Sequence, residues 1–167
     1  MLRDLVHAVK YDERRTLAAA LAPLLIRNAG DSIAAGALLV PVPLHPWRQW
    51  SRGFNQADDI ACALARHTQG VSVVHALRRE RHTRPQSDLD AEARRRNVRG
   101  AFALAGWTPR SRRRRAGRLA DRHVVLVDDV MTTGATLEAC AEVLLEAGAR
   151  EVSAVTLGRV VSPQRRT

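Results

Sequence analysis

One stretch constrains the fold more than any other: Val124-Val125-Leu126-Val127-Asp128-Asp129-Val130-Met131-Thr132-Thr133-Gly134-Ala135-Thr136. It opens with four consecutive apolar residues rich in β-branched side chains. That pattern suits a strand buried on both faces, as in a parallel sheet. Two adjacent carboxylates follow at the strand's carboxyl end. A short loop, Asp128 to Ala135, then leads into an amphipathic segment, Thr136 to Ala147, with Leu137, Cys140, Ala141, Leu144 and Leu145 on one face. Strand, acidic edge, loop and helix in that order make a βα unit, and ligands of open α/β sheets bind at the carboxyl ends of the strands.

The loop's chemistry is legible residue by residue. Backbone N–H groups at a helix N-terminus, aided by the helix dipole, favour an anion. Gly134 lets the backbone approach it closely, and Thr132, Thr133 and Thr136 add hydroxyl donors. Acids followed by an anion nest suit vicinal hydroxyls next to a phosphate, the pattern of a ribose 5-phosphate. No Lys stands at the spacing of a Walker loop, and a dinucleotide fingerprint needs three glycines where this loop has one. The plain alternative is a βα turn with a capping Thr and solvated acids.

The rest of the chain supplies matching elements. Residues 4 to 29 read as helical, with Leu17, Leu21, Leu24 and Leu25 at helical spacing. Ala37 to Val42 reads as a buried strand, ended by Pro41 and Pro43, which open a loop through Gly53. Asn55 to His67 suits a helix stopped by Gly70, and Val71 to Val74 a strand. Residues 77 to 97 are polar and Arg-rich, with Asp90 placed to cap a short helix running to about Asn97. Ala101 to Leu104 and Val152 to Leu157 read as further strands. Residues 106 to 122 read as a solvated loop. There is no internal repeat. Alternating strands and helices predict an α/β fold: one domain over residues 1–167, a twisted, mostly parallel sheet with helices on both faces, and an Arg-rich loop at about 107–122.

Composition narrows the function classes. The 46% hydrophobic and 26% charged content is that of a globular chain, not of extended disorder. No apolar run reaches the length of a membrane span, and no export signal is visible, so membrane insertion is not expected and a reducing cytoplasm is the default location. The two cysteines, Cys62 and Cys140, exclude a disulfide framework and a four-cysteine zinc site, and fall on apolar helix faces as buried thiols. The net charge of +10 is concentrated. Residues 76 to 100 carry +4 and residues 108 to 123 carry +6, leaving the remainder neutral. Arg112-Arg113-Arg114-Arg115 either contacts nucleic-acid phosphates or forms a solvated loop. Trp47 and Trp50 either stack on a base or pack against their own loop. His45 lies in that same loop, and Asp58 and Asp59 read as a solvated helix face.

The acidic strand end with its Thr-Thr-Gly-x-Thr loop resembles the phosphoribosyl pyrophosphate (PRPP) motif of type I phosphoribosyltransferases. Two further stretches narrow the likeness to the ComF/GntX family, some of whose members are linked to DNA uptake. One is Pro41-Val42-Pro43-Leu44, then Arg48, then Arg52-Gly53-Phe54-Asn55-Gln56-Ala57. The other is Thr83, Gln86 and Leu89, followed by Arg94-Arg95-Arg96-Asn97-Val98-Arg99-Gly100-Ala101-Phe102. Lys10-Tyr11 is similar to the family's Lys-aromatic pair. The likeness spans roughly residues 5 to 160.

The resemblance implies a type I phosphoribosyltransferase-like fold and specific roles. Asp128 and Asp129 hold the ribose hydroxyls and, through them, Mg²⁺-bound PRPP. Thr132, Thr133, Gly134, Ala135 and Thr136 cradle the 5-phosphate. The loop from Pro43 and Leu44 to Gly53 is the pyrophosphate loop, with Arg48 or Arg52 as cation. Residues 79 to 97, including Thr83, Gln86, Arg95 and Asn97, form a flexible loop over the site. The implied chemistry is displacement of pyrophosphate from ribose C1 by an unidentified acceptor. The alternative is a non-catalytic module that binds PRPP and single-stranded DNA, or a competence partner. Family members usually begin with a cysteine-rich zinc-binding segment that this sequence lacks, and no base-gripping hood is evident after Leu157.

Overall fold

The computed structural model describes residues 22–29, 33–44, 55–81, 96–106, 108–131 and 133–159. In chain order its elements are α1 (residues 22–29), β1 (Leu38–Pro41), α2 (Gln56–His67), β2 (Ser72–Val73), β3 (Leu77–Arg79), β4 (Phe102–Leu104), α3 (Pro109–Leu119), β5 (His123–Met131), α4 (Ala135–Glu146) and β6 (Glu151–Arg159). Four parallel strands form the main sheet in the order β2-β1-β5-β6. β3 and β4 pair antiparallel, separate from it. No helix among the described residues is long and apolar enough to cross a membrane.

The apolar run of β5 lies at the middle of the sheet. Val124, Val125, Leu126 and Val127 are each no more than 1% exposed. Alternation along the strands divides the core in two. Leu38, Val40, Val124 and Leu126 face Leu137, Cys140 and Leu144 of α4, with Leu119 and Phe102 completing that layer. Leu39, Val125, Val127 and Val155 face Ala22 of α1 and Ile60, Ala61 and Leu64 of α2. Helices therefore cover both faces, as the alternating elements predicted.

Local chemistry explains the ends of α2. Asn55 is its N-cap and accepts the Ala57 N–H at 3.2 Å. Asp58 and Asp59 lie in the first turn and Arg66 in the last, each complementing the helix dipole.

The structure corrects three expectations. The Arg-rich segment expected as a loop is helical over most of its described residues, 108–122, where α3 lies. Thr108 and Ser111 form a reciprocal capping box, Pro109 opens the first turn, and Leu119 is fully buried at the far end. Arginine is a good helix former, and the charge of the run had masked that propensity. Second, β5 continues through Asp128 and Asp129 to Met131 because β6 pairs with it that far, up to Met131↔Arg159. The two acids are thus strand residues. Third, β3 was absent from the sequence reading. Its three residues pair with β4, with Leu77 buried opposite Leu104 and Arg79 opposite Phe102, an arrangement that no local periodicity announces.

Candidate functional site

β5 carries Asp128 and Asp129 to the carboxyl edge of the sheet. The Asp129 N–H donates to Asp128 Oδ1 at 2.9 Å, and the Val130 N–H to Asp129 Oδ1 at 2.8 Å. Burial pushes the Asp128 carboxyl up, to about 7. The neighbouring Asp129 charge and a hydrogen bond to its side chain add to the rise, while the Asp129 N–H and the Arg79 guanidinium oppose it. This is a carboxyl short of positive charge, and hydroxyl donors or a cation would relieve it.

The turn that follows is built for close approach. Gly134 has φ +81° and is the N-cap of α4, a backbone state that L side chains avoid. Its carbonyl accepts the Glu138 N–H at 2.9 Å, starting the helix. Thr133 Oγ1 receives the Ala135 N–H in a long contact of 3.5 Å. Asp128, Met131, Gly134, Ala135 and Thr136 together line a shallow pocket. The acid and the anion loop expected from sequence therefore meet in space. Thr132 lies outside the described residues.

The second expected loop starts and finishes at this same edge. The Val42 N–H donates to the Val127 carbonyl at 2.9 Å, which sets Pro43 and Leu44 beside the end of β5. Asn55 Nδ2 donates to the Val42 carbonyl at 3.0 Å, so the N-cap of α2 also clasps the end of β1. Arg48 and Arg52 lie outside the described residues, as do His45, Trp47 and Trp50.

The third expected loop is the connection between β3 and β4. Arg81 holds its returning end, donating to the carbonyls of Asn97 and Arg99 at 3.1 and 2.8 Å. Arg96, Val98 and Arg99 line a hollow with Ala135, Glu138 and Glu142 of α4. The return of this connection thus packs against the helix that the Gly134 turn begins. Thr83, Gln86 and Arg95 lie outside the described residues.

Among the described residues no group of three or more His, Cys, Asp or Glu gathers to hold a metal. Two adjacent carboxylates nevertheless fit Mg²⁺, which takes one or two protein oxygens and completes its shell with water and substrate phosphate.

Residues 51–165 match the family model described as a phosphoribosyl transferase domain. The chain is 37% identical over 164 residues to DNA utilization protein YhgH of Escherichia coli O157:H7, covering 94% of this chain and 66% of that one. It is 33% identical over 163 residues to Competence protein F of Haemophilus influenzae, covering 95% and 68% respectively. The chain belongs to the ComF family. It spans about two thirds of the length of these ComF relatives. A solved structure described as the allosteric regulatory enzyme of purine biosynthesis shares the fold, with TM-score 0.53 and 22% identity over 86% of this chain and 26% of that one. The type I phosphoribosyltransferase fold is therefore that of this ComF chain.

Two residues beside this site have no role that the sequence alone assigns. Asn55 was visible in the ComF stretch but carried no role, and its double hydrogen bond depends on the end of β1. Arg79 stacks over Phe102, 5.2 Å from the ring centre, with its charge acting on both Asp128 and Cys140. In sequence it is one Arg of an Arg-Arg pair, and only β3 singles it out.

Proposed function

We propose that this chain binds Mg²⁺–PRPP across the carboxyl ends of β1 and β5 and transfers the phosphoribosyl group to an acceptor, releasing pyrophosphate. The observation that carries this reading is the meeting of Asp128 with the Gly134 turn in one pocket at the sheet edge. Asp128 and Asp129 accept hydrogen bonds from the ribose hydroxyls. The loop from Thr132 to Thr136 receives the 5-phosphate at the start of α4. The loop from Pro43 through Arg48 and Arg52 receives the pyrophosphate. Arginines of the segment from Arg79 to Asn97 offset the charge that develops as it departs.

In the reaction the bond from ribose C1 to the pyrophosphate oxygen breaks, and a bond from C1 to the acceptor forms. The acceptor's proton passes to solvent or to the leaving group. The protein contributes orientation and charge stabilisation. Mg²⁺, when bound with the substrate, supplies charge neutralisation on pyrophosphate, and Asp128 and Asp129 would hold it indirectly, through the ribose hydroxyls. The names of the ComF relatives support placing this chemistry in DNA utilisation or competence.

Calorimetric titration with PRPP and Mg²⁺ tests binding. Heat that saturates in the native chain and is lost in Asp128→Asn/Asp129→Asn, with circular dichroism unchanged, is the expected result. Absence of heat in the native chain refutes the reading. Pyrophosphate release measured with nucleobases, amines and water as acceptors then separates transfer from binding alone.

A further inference from the structure

α3 carries six arginines and no acid in eleven residues. Their side chains divide into two sets. Arg112 Nε donates to the Gly106 carbonyl at 3.1 Å, and Arg115 Nη1 to the His75 carbonyl at 2.7 Å. These two anchor the helix to the body of the protein, with Leu119 buried at its end. Arg110, Arg113, Arg114 and Arg118 are exposed, and none hydrogen-bonds or pairs with another described residue. Arg110, Arg113 and Arg114 stand at i, i+3 and i+4 on one face, with Arg118 one turn beyond Arg114. Gly117 leaves the middle of that face bare.

This charge does not serve the helix. Arg110–Arg114 and Arg114–Arg118 are like-charge pairs at i, i+4, which destabilise a helix. The first turn contains no acid and opposes the helix dipole with cations. An outside polyanion would remove both penalties.

We propose that the outer face of α3 is a docking surface for the phosphodiester backbone of nucleic acid. Guanidinium groups match phosphate oxygens two bonds at a time. Arg110, Arg114 and Arg118 recur about every 6 Å along the helix, which suits a periodic row of phosphates. Other occupants fit less well. A membrane-seated helix needs a free apolar face, and that of α3 is packed inward. Arginine also anchors protein interfaces, but beside aromatic side chains, and α3 has no aromatic residue. The charge continues beyond the helix. Arg122, whose guanidinium donates to the Gly36 carbonyl, and Arg150 line a hollow of about 340 Å³ with His123 and one acid, Asp121. The surface does not involve Asp128 or the Gly134 turn, and the proposal holds whether or not that site turns over.

The test is fluorescence anisotropy with a labelled oligodeoxythymidine, repeated with a duplex of equal length, across a salt series. Two variants of equal charge are compared: Arg113→Gln/Arg114→Gln on α3, and Arg27→Gln/Arg66→Gln on exposed positions of α1 and α2. The α3 variant should bind about 25-fold more weakly near 0.1 M salt, with the slope of log K against log salt reduced by about 1.4 for the single strand. The control variant should stay within about twofold of the native chain, since its charges make no phosphate contact. A loss confined to the single strand or to the duplex names the form that docks. Equal losses in both variants, or none in the α3 variant, overturn the proposal. So does a native chain that binds neither probe. Displacement of the probe by polyglutamate as readily as by unlabelled oligonucleotide also overturns it.

Discussion

Among the described residues, the Asp128 carboxyl departs furthest from its free side chain while still titrating in an accessible range. It keeps its proton to about pH 7 in the folded chain, against 3.8 for the unperturbed group. Between those values the folded state binds more protons than the unfolded one. Stability from this group is therefore fully present below about pH 4 and is lost as pH rises through 7. Asp128→Asn should remove that dependence, raising the ligand-free chain's stability at pH 8 on the order of 2 kcal/mol, as urea unfolding at pH 5 and pH 8 would measure. The same substitution weakens PRPP binding if the proposed role holds, so stability and binding should move in opposite directions. Cys140 is a second case. It is fully buried, and burial, with the Asp128 charge behind it, pushes its thiol far up, against the pull of Arg79. Titration with a thiol reagent should therefore label no more than one of the two cysteines while the chain is folded, and both in denaturant. The acid pair and the threonine loop were legible as types in a pattern. The raised carboxyl was not, because it depends on burial between assembled layers, against which the Arg79 charge from another strand pulls.

At the scale of elements, α3 shows how a charged run conceals structure. Its helical propensity and its caps are present in the sequence, but six arginines in eleven residues equally suit a solvated loop. Thr108→Ala removes one half of the capping box and should cost about 1 kcal/mol, with hydrogen exchange of the α3 amides speeding most in the first turn. Asn55 does similar work for α2 and also joins that helix to β1. Asn55→Ala should cost about 1–2 kcal/mol, because the Val42 carbonyl loses its side-chain donor as well as α2 losing its cap. Urea unfolding measures that loss, and the weaker hold on the Pro43 loop should appear as weaker pyrophosphate binding by calorimetry.

At the scale of the whole molecule, the central strand decides the fold. Leu126→Ala opens space between β5 and the α4 layer and should cost about 3 kcal/mol in urea unfolding. Leu145→Ala, on a side chain 49% exposed, should change stability by no more than about 0.5 kcal/mol. The sequence by itself determined the local features: the buried run of β5, the acids after it, the glycine turn into α4 and the order of alternating strands and helices. Each rests on chemical type and short spacing, which need only neighbours along the chain. Tertiary structure alone decided how far β5 extends, since β6 must be present to pair with Met131. It also created β3, whose three residues form a strand only when β4 lies beside them. It chose which arginine's charge acts on Asp128 and which arginines of α3 turn outward, because burial and pairing across long loops are properties of the assembled layers.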